Sequence, residues 1–164
     1  MLNVKDPQAK IVSRLELQTQ VMDWKNAGER IVFTNGCFDI LHKGHADYLH
    51  KASLLGNRLI IGVNTDRSVA VLKGAFRPVQ DESSRALLLA SFGFVDAIVL
   101  FDEQTPLELI SVIVPDVLVK GKDYQIHEIV GADIVLAAGG KVETLDFIEG
   151  YSTSAIISRI IKGL

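Results

Sequence analysis

The feature that most constrains this chain is a repeated change of hydrophobic period. Short apolar runs rich in β-branched residues stand at 31–34, 59–63, 97–101, 117–120 and 141–145. Between them lie stretches at 46–55, 83–92, 106–114 and 129–138 in which apolar residues recur three or four apart, the spacing of a helix face. A strand with one wet face alternates apolar and polar residues, so unbroken runs of four or five belong to strands buried on both sides. Strands alternating with helices require crossover connections. The expected fold is therefore α/β: a Rossmann-like, doubly wound, five-stranded parallel sheet with helices on both faces.

Outside this core, Ile11, Val12, Leu15, Val21, Met22 and Trp24, flanked by Pro7 and Gly28, predict a single N-terminal helix over 8–27. At the other end, Ser152-Thr153-Ser154 precedes Ile156, Ile157, Ile160 and Ile161, which predicts a capped amphipathic helix. Residues 66–82, with Lys73-Gly74 and Arg77-Pro78, are the least regular segment and read as a mobile loop over a ligand. No repeat or linker divides the sequence, so we expect an N-terminal helical extension over 1–29 and one principal domain over 30–164.

Composition narrows the function. The 164 residues are 48% hydrophobic and 23% charged, which excludes a disordered or collagen-like chain. A net charge of −3 argues against a nucleic-acid partner, which needs a basic face. The one cysteine, Cys37, permits no intrachain disulfide and fits a reducing compartment. The first residues lack the layout of a signal peptide, and the longest uncharged apolar stretch, 86–95, is about half of what a membrane helix requires. No membrane partner is expected, and the expected location is cytoplasmic.

Ligands of a doubly wound sheet bind outside the carboxyl ends of the strands, where the strand order reverses. The segment after the first run is Thr34-Asn35-Gly36-Cys37-Phe38-Asp39-Ile40-Leu41-His42-Lys43-Gly44-His45, leading into a helix. Gly36 allows close backbone approach, and the unpaired amides of the helix start suit an anion. His42 and His45, three apart, can converge on one point, and Gly44 between them leaves room for a phosphate. His50 and His127 lack such a context and read as structural. No metal site is expected, because no His-Glu-x-x-His or paired-cysteine pattern accompanies the histidines. Cys37 has no evident partner base and reads as a small residue beside the ligand. The chain contains neither a Gly-x4-Gly-Lys-Ser/Thr loop nor a Gly-x-Gly-x-x-Gly fingerprint.

His42-Lys43-Gly44-His45 in this context resembles the His-x-Gly-His signature of the nucleotidyltransferase superfamily, and Gly36 to Leu41 resembles its cytidylyltransferase-like branch. Glu149-Gly150-Tyr151-Ser152-Thr153-Ser154 is similar to that branch's second signature, and Gly121-Lys122-Asp123-Tyr124 to its loop after the fourth strand. From about residue 30 to 161 the chain most resembles the D-glycero-β-D-manno-heptose 1-phosphate adenylyltransferases, the ADP-heptose synthase domains. The stretches that carry this are 35–45, Leu72-Lys73-Gly74, Arg77-Pro78-Val79, 105–110, 115–121 and 147–154. Members of the branch that use CTP carry Arg-Thr ahead of Glu-Gly, where this chain has Phe147-Ile148.

The resemblance implies transfer of AMP from ATP to a sugar 1-phosphate, giving ADP-heptose for a cell-surface glycan and pyrophosphate. His42, His45 and Lys73 would act on the phosphates. Gly36, Cys37, Phe38, Asp39, Gly44, Gly121, Asp123, Tyr124, Gly150, Tyr151, Ser152, Thr153 and Ser154 would complete the nucleotide site. Arg77, Arg85 and Lys120 are further candidates for the sugar phosphate or pyrophosphate. Mg²⁺ is expected to travel with ATP, and Asp39 either orients the histidine loop or meets that ion. A homodimer and a separate heptose kinase are the implied partners. The competing readings are a cytidylyltransferase acting on glycerol 3-phosphate or another phosphorylated acceptor, and a nucleotide-binding module without catalysis.

Overall fold

The computed structural model describes residues 6–122 and 125–163. The chain begins with a 3₁₀ turn at Pro7–Lys10, after which Ile11 bridges in parallel to Ile98 and the Val12 N–H donates to the Ile98 carbonyl at 2.9 Å. Helix α1 (Arg14–Asn26) starts only afterwards, because Ser13 and Glu16 form a capping box in which each side chain accepts the other's backbone N–H. The single helix expected over 8–27 is thus divided. The β-branched pair Ile11-Val12 is claimed by the sheet, and Ser13 resets the backbone.

Five parallel strands follow: β1 (Ile31–Gly36), β2 (Arg58–Asn64), β3 (Ala97–Phe101), β4 (Val117–Gly121) and β5 (Lys141–Leu145), in the spatial order β3-β2-β1-β4-β5. The connecting helices are α2 (Lys43–Ser53), α3 (Asp66–Lys73), α4 (Glu82–Ala90), α5 (Leu107–Ile113) and α6 (Ala132–Ala137), and α7 (Thr153–Lys162) closes the chain. Strand residues divide by parity. Phe33, Ile60, Val99 and Leu118 join α1, α5 and α6 in one buried cluster, while Val32, Ile61, Ile98 and Val119 join α2 and α4 in another. Both faces are covered, which is why the strands read as unbroken apolar runs.

Two further expectations are corrected. The segment read as a mobile loop contains α3, capped by the Thr65 hydroxyl at the Ser68 N–H and ended by Gly74 at φ +102°. Only Val69 of its apolar residues is buried, while Val71 and Leu72 are exposed, so the helix leaves little periodicity in the sequence. Lys73 is the last residue of that helix. The helix expected over 129–138 is shortened by a 3₁₀ turn at Ile126–Glu128 and by Gly131, at φ +81°, which packs so closely on Ile110 that a Cβ would lie 2.8 Å from it. No helix among the described residues is long and apolar enough to cross a membrane.

Leu17, fully buried with Phe33 and Ile110, ties α1 to the sheet. Leu17→Ala is expected to cost about 3 kcal/mol in urea denaturation through lost burial and the cavity left behind. A loss below about 1 kcal/mol would show that α1 does not contribute to the core.

Candidate active site

The strand order reverses between β1 and β4, so the carboxyl ends of these strands open a crevice at the switch point. A cavity of about 610 Å³ lies there and reaches from Asn35, Gly36 and Lys120 to His45, Lys73, Arg77 and Thr153.

On the α2 side, His42 caps the helix: its Nδ1 accepts the His45 N–H at 3.3 Å, which leaves the ring proton of the neutral form on Nε2 as a donor. The two imidazoles stack with centroids 3.8 Å apart and planes 19° from parallel. Gly44 permits this, since a Cβ there would sit 3.0 Å from the His42 ring. Phe38, at φ +47°, turns its ring edge-on to His45 at 5.3 Å and lies 3.0 Å from where a Cβ on Gly36 would be. Burial lowers the pKa of His42. Burial, and then the neighbouring His42, push His45 down to about 4. Both shifts favour the neutral rings, which suits their close stacking. The Nδ1 of His45 is buried and has no hydrogen-bond partner among the described residues.

At the start of α7, the Ser152 hydroxyl accepts the Ala155 N–H at 3.1 Å, and Thr153 and Ser154 line the cavity. Gly150 and Tyr151 stand beside it, with the Lys43 ammonium 5.3 Å from the centre of the Tyr151 ring. The helix forms as expected, but no residue of it is fully buried, and Ile160 and Ile161 are exposed.

A latch organises the loop that follows α3. Asp39, only 2% exposed, accepts from Arg77 Nε at 2.6 Å and from the N–H groups of Val79 at 2.8 Å and Gln80 at 2.9 Å. Burial alone would raise its pKa, but those N–H groups and the Arg77 guanidinium outweigh burial and hold the carboxyl below its usual range. The fully buried Arg85 completes the latch by donating to the carbonyls of Gln80 at 3.0 Å and Cys37 at 2.6 Å and by pairing with Asp66 at 2.7 Å. Asp39 therefore orients the loop. Arg85 is enclosed behind it and does not line the cavity, whereas Lys73 and Arg77 do.

Across the sheet edge, Lys120 donates to the Asn35 side-chain oxygen, and Phe147 lies over Gly121, where a Cβ would come within 2.1 Å of its ring. Of the residues singled out from the sequence, Gly36, Cys37, Phe38, Asp39, His45, Lys73, Arg77, Lys120, Gly121, Thr153 and Ser154 meet at the cavity, with His42 stacked behind His45. Asp123 and Tyr124 lie outside the described residues. Asn35, Asn64, Gln104, Thr105, Glu128 and Phe147 also line the cavity. The strand-end rule reaches Asn35 and Asn64 directly and the Gln104-Thr105 loop by position. Glu128 arrives on a 3₁₀ turn with no sequence signal.

A doubly wound parallel sheet with paired histidines at its first crossover helix and a cation-lined cavity at its switch point defines an α/β nucleotidyltransferase domain. Residues 33–159 match the family model described as cytidylyltransferase-like, and the chain belongs to that family. It is 56% identical over 96% of its length to a protein named bifunctional protein HldE from Campylobacter jejuni subsp. doylei, and 49% identical over 93% to one of the same name from Azorhizobium caulinodans. It spans about a third of the length of these relatives, 33% and 32% respectively. Among solved structures it is similar to a lipopolysaccharide core biosynthesis protein from Thermoplasma volcanium, with a TM-score of 0.58 and 27% identity over 76% of this chain and all of that one. A pantoate-beta-alanine ligase from Francisella tularensis shares the fold, with a TM-score of 0.56 and 14% identity over 94% of this chain and 78% of that one.

The depressed pKa of His45 sets a pH dependence. An unfolded histidine titrates near 6.5, so between that pH and about 4 the unfolded chain binds more protons than the folded one. Stability is expected to fall as pH drops through this window and to be unaffected by His45 above it. Urea denaturation at a series of pH values checks this, and His45→Gln should flatten the acid-side slope.

Proposed function

We propose that this chain transfers the adenylyl group of ATP to D-glycero-β-D-manno-heptose 1-phosphate, giving ADP-heptose and pyrophosphate. The observation that carries the reading is the convergence on one cavity of His45, with His42 stacked against it, and of Lys73, Arg77 and the hydroxyl-bearing start of α7. That is a set of donors for a triphosphate. The likeness to HldE proteins and the stretches at 72–79 and 115–121 favour a heptose 1-phosphate as acceptor.

The chemistry needs no protein base. A phosphate monoester has a second pKa of about 6, so the acceptor is already ionised at neutral pH. One of its oxygens forms a bond to the α-phosphorus of ATP as the bond from that phosphorus to the β-bridging oxygen breaks, and the electron pair leaves with pyrophosphate. What the chain supplies is position and charge. His42 and His45 donate to phosphate oxygens, and an arriving polyanion restores the proton affinity that burial removed from the rings. Lys73 and Arg77 draw off charge growing on the leaving pyrophosphate, with the free amides of α7 beside them.

Mg²⁺ enters with the triphosphate as part of the substrate. Among the described residues no group of three or more His, Cys, Asp or Glu side chains is placed to hold a metal ion, and both oxygens of Asp39 are engaged by the 77–80 loop. This donor set fits an ion that keeps its waters and phosphate ligands. A sugar kinase acting earlier would supply the acceptor's phosphate.

Pyrophosphate release measured over a grid of ATP or CTP against heptose 1-phosphate or glycerol 3-phosphate tests the reading. ATP with heptose 1-phosphate should be the productive pair, with ADP-heptose identified by mass. Turnover only with CTP would overturn it. His45→Ala should lower kcat about 100-fold or more while the fold is retained, and near-normal turnover would remove His45 from the mechanism.

A further inference from the structure

The cavity is fed from both faces of the sheet, and the two sides differ in kind. His45 stands on α2, whose buried residues belong to the cluster with Val32 and Ile61. Asn35 and Lys120 follow Phe33 and Leu118 by two residues, and those belong to the opposite cluster with α5 and α6. Side chains two apart on a strand share a face. The placement of Asn35 is confirmed at Gly62, where a Cβ would meet Phe33, Leu109 and the Cβ of Asn35 within 3.3 Å. The β1–β4 ladder pairs Val32 with Val117 and Phe33 with Leu118, and the same register sets Asn35 opposite Lys120. Their side chains span the switch point by a hydrogen bond.

Lys120 is a charge without a counter-charge. Its hydrogen-bond acceptor is the neutral Asn35 amide, its register partner on β5 is the neutral Thr144, and no carboxylate pairs with it among the described residues. The charged or titratable groups that share its cavity are Cys37, Asp39, His45, Tyr48, Lys73, Arg77 and Glu128, and burial raises the pKa of both Cys37 and Tyr48, away from the range in which Lys120 titrates. Of these, Asp39 is already paired with Arg77. Burial alone pushes the Lys120 ammonium down to about 8. A half-buried cation held this way is stabilised by an anion brought from outside.

Resting on the adenylyltransferase reading, we propose that Lys120, positioned by Asn35, is the seat of the acceptor's phosphate, the nucleophile, and is separate from the seat of the ATP phosphates at His42, His45, Lys73 and the start of α7. In-line displacement requires the incoming oxygen and the leaving pyrophosphate on opposite sides of the α-phosphorus. Two cationic seats entering the cavity from opposite faces of the sheet meet that requirement. A single cluster holding both anions would not. Gln104, Thr105 and Glu128 line the cavity from the loops ahead of α5 and α6, on the Lys120 side, and offer donors and acceptors suited to sugar hydroxyls. The assignment also gives the two substrates different chemical signatures: loss of Lys120 should affect the acceptor and spare the nucleotide.

Calorimetric titration of the full chain tests this without relying on turnover. Heptose 1-phosphate and a non-hydrolysable ATP analogue are titrated separately into the unsubstituted protein, Lys120→Met and Lys120→Arg, with circular dichroism checking the fold. Lys120→Met should weaken heptose 1-phosphate at least about tenfold, the worth of a charged hydrogen bond, and leave the ATP analogue within about threefold. In the unsubstituted protein, acceptor affinity should fall as pH rises through about 8, because the ammonium deprotonates while the phosphate remains a dianion. Lys120→Arg, which stays charged, should retain binding without that fall. Unchanged acceptor affinity in Lys120→Met, an equal loss for the ATP analogue, or no acceptor binding by the unsubstituted protein overturns the proposal. Failure of the adenylyltransferase reading looks different: no pyrophosphate would be released from ATP with heptose 1-phosphate, whatever the binding data show.

Discussion

Burial of both sheet faces is the constraint from which the rest follows. With α1, α5 and α6 on one side and α2 and α4 on the other, the central strand β1 is flanked by β2 and β4 and covered above and below. Its open surface is the carboxyl end, where the chain must leave for α2 while its neighbour β4 departs for α6. Backbone groups freed at that edge cannot be satisfied within the sheet, and the crossover loops diverge there. The polar chemistry of the molecule is concentrated at this one opening because the architecture leaves it little other place.

The second organising element is electrostatic. Asp39 and Arg85, both buried, clamp the 77–80 loop against the loop after β1, and Gln80 is held from both sides, its N–H by the carboxylate and its carbonyl by the guanidinium. Breaking either contact leaves a buried charge or buried carbonyls unsatisfied, so the clamp specifies a single loop position. Arg77 pairs through Nε with Asp39 and also lines the cavity. One buried acid thereby sets the position of a cation at the cavity. Opposite it, Lys120 is held by an amide and not by an acid.

The histidine pair illustrates coupling between packing and chemistry. Gly44 and Gly36 are needed because the His42 ring and the Phe38 ring fill the spaces a Cβ would take. Stacking at 3.8 Å requires at least one neutral ring, and desolvation lowers the pKa of both. The unpartnered, buried Nδ1 of His45 belongs to the same arrangement.

Much of the site was legible from letters alone, because strand runs, glycines and paired histidines are local signals. The parallel sheet, the strand ends, His42, His45, Gly36, Gly44 and the Ser152 cap each follow from spacing over a few residues. Tertiary structure decided what depends on distant partners. It divided the expected first helix because Ile11 and Val12 pair with a strand almost ninety positions away. It made a helix of 66–73, whose exposed Val71 and Leu72 blur the periodicity. It turned Asp39 and Arg85 into loop anchors and brought Lys120 to Asn35 across 85 positions. Short-range periodicity encodes elements; which charges find each other, and which stay without a counter-charge, is set only when the elements pack.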